Sequence, residues 1–245
     1  VTSIGDNVFF GCSSLAQIAI PSSLIEISSN SLTNCPKLSK ISIVQCNEKR
    51  IECYEDKFLI FKSNPTNEFY DTLIWSKPTI EREIIPSFIK TIKVHAFNKC
   101  SSLTQITIPS SVTIIESGAF NGCSSLTQIT IPSSVTIVPS YSFCLCSSLK
   151  QITFDIPSSV TEIGCYAFSG CSSLKQIIIP SSVTEICSYA FSGCSSLAEI
   201  IIPSSVTKIG SNVFIGCQLL KQISIPSFID KENLGILSGT KINLI

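Results

Sequence analysis

Apolar and polar positions alternate along this chain in a pattern that repeats about every 23 residues. The unit reads C-S-S-L-x-x-I-x-I-P-S-S-V-x-x-I-x-x-x-A-F-x-G, and residues 100–122 and 123–145 are two nearly identical copies of it. In the stretch L-x-x-I-x-I the apolar residues alternate, which predicts a short strand with one buried face. Proline follows this stretch and cannot donate to a strand ladder, so we expect each strand to end there. A fixed period of this length is typical of stacked repeat proteins.

The second half of the unit predicts turns and a return of the chain. The paired serines supply hydroxyls that bond backbone groups at a turn, and A-F-x-G suits a short helical or 3-10 turn closed by glycine. One coil cannot bury its apolar side chains alone, so successive coils have to stack on each other. We therefore expect the strands of neighbouring coils to pair in parallel and to form one continuous sheet along one side of a solenoid.

Three columns of residues, each holding one place in the unit, are expected to form much of the core. The cysteine column contains Cys12, Cys35, Cys100, Cys123, Cys146, Cys171, Cys194 and Cys217. The phenylalanine column contains Phe9, Phe97, Phe120, Phe143, Phe168, Phe191 and Phe214, with Leu32 as a substitute. The leucine column contains Leu15, Leu38, Leu103, Leu126, Leu149, Leu174, Leu197 and Leu219. Each large side chain buried between coils stabilises the fold by about 1.5–3 kcal/mol.

Residues 46–76 do not follow the repeat. They lack the Leu, Pro and Phe columns, and the coil that follows them has Glu83 in an isoleucine position. Two strand-like runs, FLIF and TLIW, flank a turn-rich connector, which predicts a β-hairpin or one enlarged coil that projects from the solenoid. Inserts in repeat proteins often carry partner specificity, so Phe69, Tyr70 and Trp75 are candidate contacts. A tolerated surface insertion is the alternative.

The repeat resembles that of a known family. The pattern L-x-x-I-x-I-x-x-S resembles the leucine-rich repeat signature, and I-P-S-S-V-x-x-I with A-F-x-G-C-S-S-L resembles the BspA-like leucine-rich repeats. The resemblance covers residues 1–45 and about 77–226. It implies a single solenoid over residues 1–245, with a parallel sheet on the concave side and short 3-10 or helical turns and irregular coil on the convex side. Family members are bacterial or protist surface proteins, so the resemblance implies a non-enzymatic adhesion or host-interaction module at the cell surface or outside the cell.

Charge and composition bear on the class of partner. The net charge is zero, from 17 basic and 17 acidic residues, so the chain offers no basic surface for nucleic acid or for an anionic membrane. Its apolar runs are far shorter than the roughly 20 residues that cross a membrane. The chain begins in mid-unit at Val1, and we interpret it as a fragment or a processed product.

The sequence contains no catalytic or metal-binding pattern. His95 is the single histidine, which excludes a multi-histidine metal site, and no serine stands in a G-x-S-x-G context. Neither a phosphate-binding loop nor a dinucleotide fingerprint occurs. Glu162 and Glu185 hold one position in adjacent coils, and we interpret them as solvated carboxylates rather than as a cation site. The sequence therefore predicts no enzymatic activity, no metal and no cofactor.

The thirteen cysteines are interpreted mainly as buried thiols. In the cysteine column the side chains point in parallel, so they neither face each other for bridging nor converge on a metal. Cys165 and Cys187 lie at nearly matching positions of neighbouring coils and are the best disulfide candidates. The odd number and the lack of an obvious pairing favour a reducing compartment, in conflict with a surface location. An intracellular, cytoplasmic scaffold or regulator that docks a signalling enzyme therefore stays open as the alternative.

The residues between the inward positions of L-x-x-I-x-I face outward and form the candidate binding face. The glutamine column reads Gln17, Lys40, Gln105, Gln128, Gln151, Gln176, Glu199 and Gln222. The threonine column reads Ala19, Ser42, Thr107, Thr130, Thr153, Ile178, Ile201 and Ser224. Either these side chains hydrogen-bond along the sheet and keep it soluble, or they meet a polar, uncharged protein partner, with Ile178 and Ile201 as an apolar spot. Host or surface proteins are the partners that the family resemblance implies.

Overall fold

The computed structural model describes residues 1–64, 66 and 68–245. The chain winds into a stack of coils with almost no helix, apart from a 3-10 turn at Ser29–Leu32. In the part of the chain that is described, no helix has the length and apolar character of a membrane span. The strands, in chain order, are β1 (Ser3–Ile4), β2 (Gln17–Pro21), β3 (Glu26–Ile27), β4 (Lys40–Val44), β5 (Ile51–Tyr54), β6 (Phe58–Phe61), β7 (Thr72–Ser76), β8 (Arg82–Ile84), β9 (Thr91–Ile92), β10 (Gln105–Thr107), β11 (Ile114–Ile115), β12 (Gln128–Ile131), β13 (Ile137–Val138), β14 (Gln151–Phe154), β15 (Glu162–Ile163), β16 (Glu185–Ile186), β17 (Glu199–Ile201), β18 (Lys208–Ile209), β19 (Gln222–Ile225) and β20 (Lys241–Leu244).

Most strands pair in parallel with their counterparts in neighbouring coils and form two ladders. The first ladder contains the strands that follow the leucine column, together with the last strand of the chain: β2 with β4, then β8–β10–β12–β14, then β17–β19–β20. The second ladder contains the shorter V-x-x-I strands: β1 with β3, then β9 with β11, then β13–β15–β16–β18. Pairing joins equivalent residues of successive coils, such as Gln128 with Gln151 and Ile129 with Ile152. The parallel solenoid predicted from the repeat is therefore confirmed.

The expectation of one continuous sheet is wrong. The first ladder is interrupted between β4 and β8, where residues 46–76 intervene, and again between β14 and β17. At the second interruption Gln176–Ile179, which the repeat predicts as a strand, pairs with neither neighbour. The preceding coil contains two extra residues, Asp155 and Ile156, directly after β14. The added length separates this side of the coil from the next one, and the ladder opens there.

The phenylalanine column forms the centre of the core. Its rings from Phe97 to Phe214 stack face to face on neighbouring coils, with ring centroids 4.8 to 5.9 Å apart. The leucine column is buried beside it, but its last position is held by Leu220, because the predicted Leu219 is exposed. Leu220 stands three residues after Cys217, which is the spacing from cysteine to leucine in the other coils.

Residues 46–76 contribute a partition across the solenoid, which we call the septum (β5, β6 and β7). β5 and β6 form an antiparallel hairpin, and β7 pairs antiparallel with β6 and parallel with β9, so the septum joins the second ladder. Side chains alternate between the two faces along β6, whereas a bulge in β7 puts Ile74 and Trp75 on the same face. The face toward the large C-terminal core carries Phe58, Ile60 and Leu73, and the face toward a smaller N-terminal core carries Leu59, Ile74 and Trp75. Both faces are buried, so the expectation that this segment projects from the solenoid is wrong.

One ion pair joins the septum to the coil that follows it. Glu83 stands where the next coil has Ile106, and the two residues pair in register. The Glu83 side chain is only 15% exposed, and the Lys57 ammonium of the septum lies 3.0 Å from one of its carboxylate oxygens. The hydrogen bond from Lys57 to Glu83 raises the pKa of Lys57. Because a shielded carboxylate is costly without a partner, Lys57 stabilises this irregular coil.

Removing single aromatic rings tests the stacking and the burial of the septum. We expect Phe168→Ala to lower the free energy of unfolding by about 3–5 kcal/mol, because the cavity opens against two neighbouring coils. Phe58→Ala should cost about as much, because Phe58 packs edge-on against Phe97 with centroids 6.1 Å apart. Phe69→Ala, at an exposed position of the same segment, is the control and should cost less than about 0.5 kcal/mol. Denaturant unfolding measures all three, and equal costs at Phe58 and Phe69 would contradict a buried septum.

Candidate functional site

The glutamine column lies exposed on the outward face of the first ladder. Gln17 and Lys40 pair in β2 and β4, and from Gln105 onward the members form two further groups in register: Gln105, Gln128 and Gln151 in β10, β12 and β14, and Glu199 with Gln222 in β17 and β19. Gln176 is exposed between the two groups and belongs to no strand. The structure therefore brings the members from Gln105 onward onto one face, as two blocks separated by the second interruption of the ladder.

The amides of the four central glutamines, at 105, 128, 151 and 176, have no hydrogen-bond partner in the part of the chain that the structure describes. The neighbouring threonine column differs, because the hydroxyls of Thr130 and Thr153 bond each other at 2.8 Å. Hydrogen bonding along the sheet, one of the two roles expected from the sequence, therefore occurs between these two threonines. The four glutamine amides keep their donors and acceptors available to a partner.

Within the glutamine column from Gln105 to Gln222, the charged register partners lie at the two ends, and Lys150 and Lys175 are exposed directly before the central Gln151 and Gln176. Arg82 pairs in register with Gln105 at one end, and Lys241 pairs with Gln222 at the other. Between these ends, Glu199 is the only charged member of the column. A partner that contacts the centre of the column therefore meets amides, beside the hydroxyls and aliphatic groups of the threonine column.

Exposed isoleucines give this face an apolar patch. Ile178 is 85% exposed, and Ile201, the second residue of the apolar spot marked by the sequence, is exposed as well. Sequence reasoning missed two others: Ile84, exposed and in register with Thr107, and Ile156, which is 94% exposed. Ile84 could have been found by extending the threonine column through the distorted coil. Ile156 belongs to the two extra residues and has no place in the repeat.

A cleft opens on this face at the second interruption of the ladder. It lies between β14 and Gln176–Ile179, has a volume of about 570 Å3, and is lined by residues that include Phe154, Ile156 and Ile178. A second cavity of about 300 Å3 lies on the other side of Gln176–Ile179, toward Ile201 of β17. No charged side chain lines the larger cleft. Its size and apolar lining are those of many ligand-binding clefts.

The three candidate contacts in the irregular segment have different environments. Phe69 is 70% exposed. Tyr70 is half-buried against the large core, with the Lys62 ammonium 5.3 Å from its ring centroid. Trp75 is only 5% exposed, because every position of β7 is buried within the septum. Trp75 is therefore a core residue and not a surface contact, which corrects that part of the prediction.

The cysteine column forms a row of hydrogen-bonded thiols. In five successive coils the cysteine Sγ donates to the carbonyl oxygen of the phenylalanine in the preceding coil, at 3.1 to 3.3 Å, beginning with Cys123 to Phe97 and ending with Cys217 to Phe191. Cys12, in the first coil, is exposed. Burial raises the pKa of Cys100 and of Cys217 to about 12, so these thiols stay protonated and unreactive.

The surface cysteines and carboxylates of the second ladder form no metal site. Cys187 Sγ lies 3.6 Å from Oε1 of Glu162 and 3.9 Å from Oε1 of Glu185. Burial, the neighbouring Cys165 and these carboxylates raise the pKa of Cys187 to about 12, so its sulfur is a thiol that donates to them. Among the residues that the structure describes, no group of three or more His, Cys, Asp or Glu side chains could hold a metal ion.

His95 has a packing role. Its Nδ1 lies 3.3 Å from the carbonyl oxygen of Gly118 in the next coil. The ring occupies the space that a side chain at residue 118 would need, and Gly118 also has a positive φ of 65°. Tyr141 and Tyr166 have the same positive φ at the equivalent place in later coils, so it is the close approach of the imidazole that requires glycine at residue 118.

Comparisons with known proteins point to one family of repeat proteins. The family model described as BspA type leucine rich repeat region matches residues 1–60, 65–156 and 152–245, in 6 copies. The structure is similar to that of a leucine-rich repeat protein from Eubacterium ventriosum, with a TM-score of 0.73, 28% identity, and coverage of 96% of this chain and 66% of that one. It is also similar to a leucine rich cell surface protein from Faecalibacterium prausnitzii, with a TM-score of 0.63, 33% identity, and coverage of 91% and 51%. This chain therefore spans only about two thirds and about half of the length of these two proteins. No curated protein matches the sequence.

The buried thiols predict a loss of stability at alkaline pH. The ordinary pKa of a thiol is 9.0, and in the folded protein the pKa of Cys100 and of Cys217 is about 12. The contribution of these thiols to the free energy of unfolding is thus fully present below pH 9. It falls between pH 9 and pH 12, because in that range the unfolded chain releases these protons and the folded chain keeps them. Each thiol should lower the free energy of unfolding by up to about 1.4 kcal/mol per pH unit.

Denaturant unfolding across this pH range measures the effect, and the double variant Cys100→Ala with Cys217→Ala is the matched comparison. We expect the double variant to lose stability less steeply with pH than the parent protein, whatever its stability at neutral pH. Identical slopes in the two proteins would show that these thiols are not protected from ionisation by the fold.

Proposed function

Since the chain belongs to the BspA-type leucine-rich repeat family, we propose that it is a protein-binding module without catalytic activity that acts through the outward face of its first ladder. The observation that carries this proposal is the row of exposed glutamine amides with no hydrogen-bond partner in the described part of the chain. Repeat proteins bind through extended surfaces that equivalent residues of successive repeats build together. Here that surface comprises the two blocks of the glutamine column and the cleft between them.

The chemistry of this face favours a polar, largely uncharged protein surface as the partner. An amide both donates and accepts, so each glutamine can bond a carbonyl oxygen or an N–H of the partner. Ile178 and Ile201 add apolar area beside the amides. Such a contact brings few charged groups together, so there is little for salt to screen. Its affinity should therefore depend only weakly on salt concentration.

We further propose that the module acts at the cell surface, in adhesion or in contact with host or surface proteins. Support comes from the similar Faecalibacterium prausnitzii protein, which is described as a leucine rich cell surface protein. The alternative is an intracellular scaffold or regulator of a signalling enzyme, and the free thiols of the cysteine column favour it. Labelling of intact cells with a membrane-impermeant reagent separates the two, because the surface role requires labelling before lysis and the alternative requires protection until lysis.

Replacing three neutral amides by carboxylates tests the binding face. We expect Gln128→Glu, Gln151→Glu and Gln176→Glu together to weaken the binding of a protein partner isolated with the intact solenoid by about 100-fold, because three charges would lose water on contact. Gln45→Glu with Gln218→Glu, at exposed positions outside both ladders, is the matched control and should leave the affinity unchanged. Titration calorimetry gives the affinities, and thermal unfolding verifies that both variants fold.

Phe69 offers the competing recognition element. Deleting the irregular segment would remove the septum, so the substitution Phe69→Ala is the suitable probe of that surface. Loss of binding in Phe69→Ala, together with unchanged binding in the triple glutamine variant, would transfer the role from the ladder face to the irregular segment. A binding role for the ladder face requires unchanged binding in Phe69→Ala and weakened binding in the triple glutamine variant.

A further inference from the structure

The second interruption of the first ladder leaves a row of main-chain groups without partners. In the regular coils the chain bonds across the ladder before each strand, as Thr127 N to Thr104 O and Lys150 N to Thr127 O. In the part of the chain that the structure describes, the N–H groups of Gln176–Ile179 donate to no backbone or side-chain acceptor. β14 pairs only with β12, and β17 pairs only with β19, so the edges that face the interruption are unpaired as well.

The interruption is local, because the same two coils stay stacked everywhere around it. Their core rings, Phe143 and Phe168, stack with centroids 5.6 Å apart. At the start of the strands Ser173 N donates to Ser147 O at 3.1 Å. In the second ladder β13, β15 and β16 pair without a break. The cleft is therefore a preformed opening on the outward face, with a closed core behind it.

Unpaired main-chain groups beside apolar walls are the two features that strand addition uses. An extended peptide bonds the open edge through its main chain, and its alternate side chains enter the neighbouring pockets. Here the edge of β14 supplies the main-chain groups, and Phe154, Ile156 and Ile178 line the cleft of about 570 Å3. Because no charged side chain lines it, the cleft selects a segment whose central residues are uncharged.

The charges at the two ends of the cleft determine which end of a bound segment should be acidic and which should be basic. Lys150 and Lys175 are exposed where the strand-like segments begin, and Asp155 is exposed where β14 ends. A peptide that runs antiparallel to β14 places its N-terminal side beside Asp155 and its C-terminal side beside the two lysines. A basic residue at the first end and an acidic residue at the second would complement these charges.

We propose that this cleft takes an extended segment of a protein partner as an added antiparallel strand, with alternating apolar side chains in its centre and an acidic residue toward Lys150 and Lys175. This inference rests on the proposed function and gives the partner a local structure that the glutamine column alone does not specify. The two extra residues, Asp155 and Ile156, create the site, since they hold apart two coils that the repeat would otherwise join.

A capped octapeptide, Lys-Thr-Val-Thr-Val-Thr-Val-Glu, is the probe, and fluorescence anisotropy measures its binding to the intact protein. Ile178→Glu places a charge in the cleft and should weaken binding at least about tenfold. Ile84→Glu makes the same change at an exposed isoleucine of the same column, outside the cleft, and should have no effect. The same peptide with alternate amides N-methylated should also bind about tenfold more weakly, because it cannot complete the main-chain bonds.

Deleting Asp155 and Ile156 together tests the origin of the cleft. The deletion restores the length of the other coils, so it should close the ladder, protect the amides of Gln176–Ile179 from hydrogen exchange and abolish peptide binding. The proposal would be overturned if Ile178→Glu bound the peptide as tightly as the parent protein does and the N-methylated peptide bound as tightly as the unmodified one. It would also be overturned if the parent protein did not bind the peptide at about 1 mM. If the peptide fails while the triple glutamine variant still loses its protein partner, only the added strand is refuted. If neither effect is found, the proposed binding face is refuted as well.

Discussion

Every coil of this protein relies on its neighbours to cover its apolar side chains, so the fold forms only as a stack of coils. A coil has no second layer of its own, so its phenylalanine ring is buried only when rings lie above and below it. The same stacking step satisfies polar groups in the core. Each buried thiol from Cys123 to Cys217 in the column donates to a phenylalanine carbonyl of the coil before it. That carbonyl also accepts the backbone N–H of the cysteine in its own coil, so the thiol is its second donor and has its own polar group satisfied away from water. Apolar packing and hydrogen bonding therefore impose one common spacing on the coils.

The septum shows how the stack continues across a segment that lacks the repeat. Its strands are antiparallel, yet β7 joins the second ladder and Phe58 contacts the end of the phenylalanine column. The septum thus covers the last ring of the large core on one face and closes the smaller N-terminal core on the other. At this junction an ion pair with Lys57 accompanies Glu83, which stands where the next coil has the buried Ile106. The irregular segment is a structural joint, and Phe69 is a large apolar side chain that it leaves exposed to a partner.

The repeat was sufficient to predict the parallel solenoid, the inward columns apart from Leu219 and Cys12, and the outward glutamine and threonine columns, because one period constrains many equivalent contacts. It failed where a residue has no equivalent in another coil. Trp75 was expected at the surface because nothing in a single irregular segment reveals which faces its strands bury. The opening of the ladder was missed although the extra Asp155 and Ile156 were visible, since added length can be absorbed by a bulge, a loop or a separation of coils. Whether the glutamine amides make hydrogen bonds depends on side-chain geometry, which a repeat pattern does not contain.

Between β14 and β17 the protein combines an unbroken stacked core with an open first ladder on its outward face. Hydrogen–deuterium exchange of the folded protein detects this opening of the ladder, because it reports the hydrogen bonding of individual main-chain amides. The amides of Gln176–Ile179 should exchange rapidly, whereas those of β12, at the equivalent position of an intact coil, should be strongly protected. Equal protection of the two segments would mean that the ladder is closed between β14 and β17, and it would contradict the presence of an open cleft there.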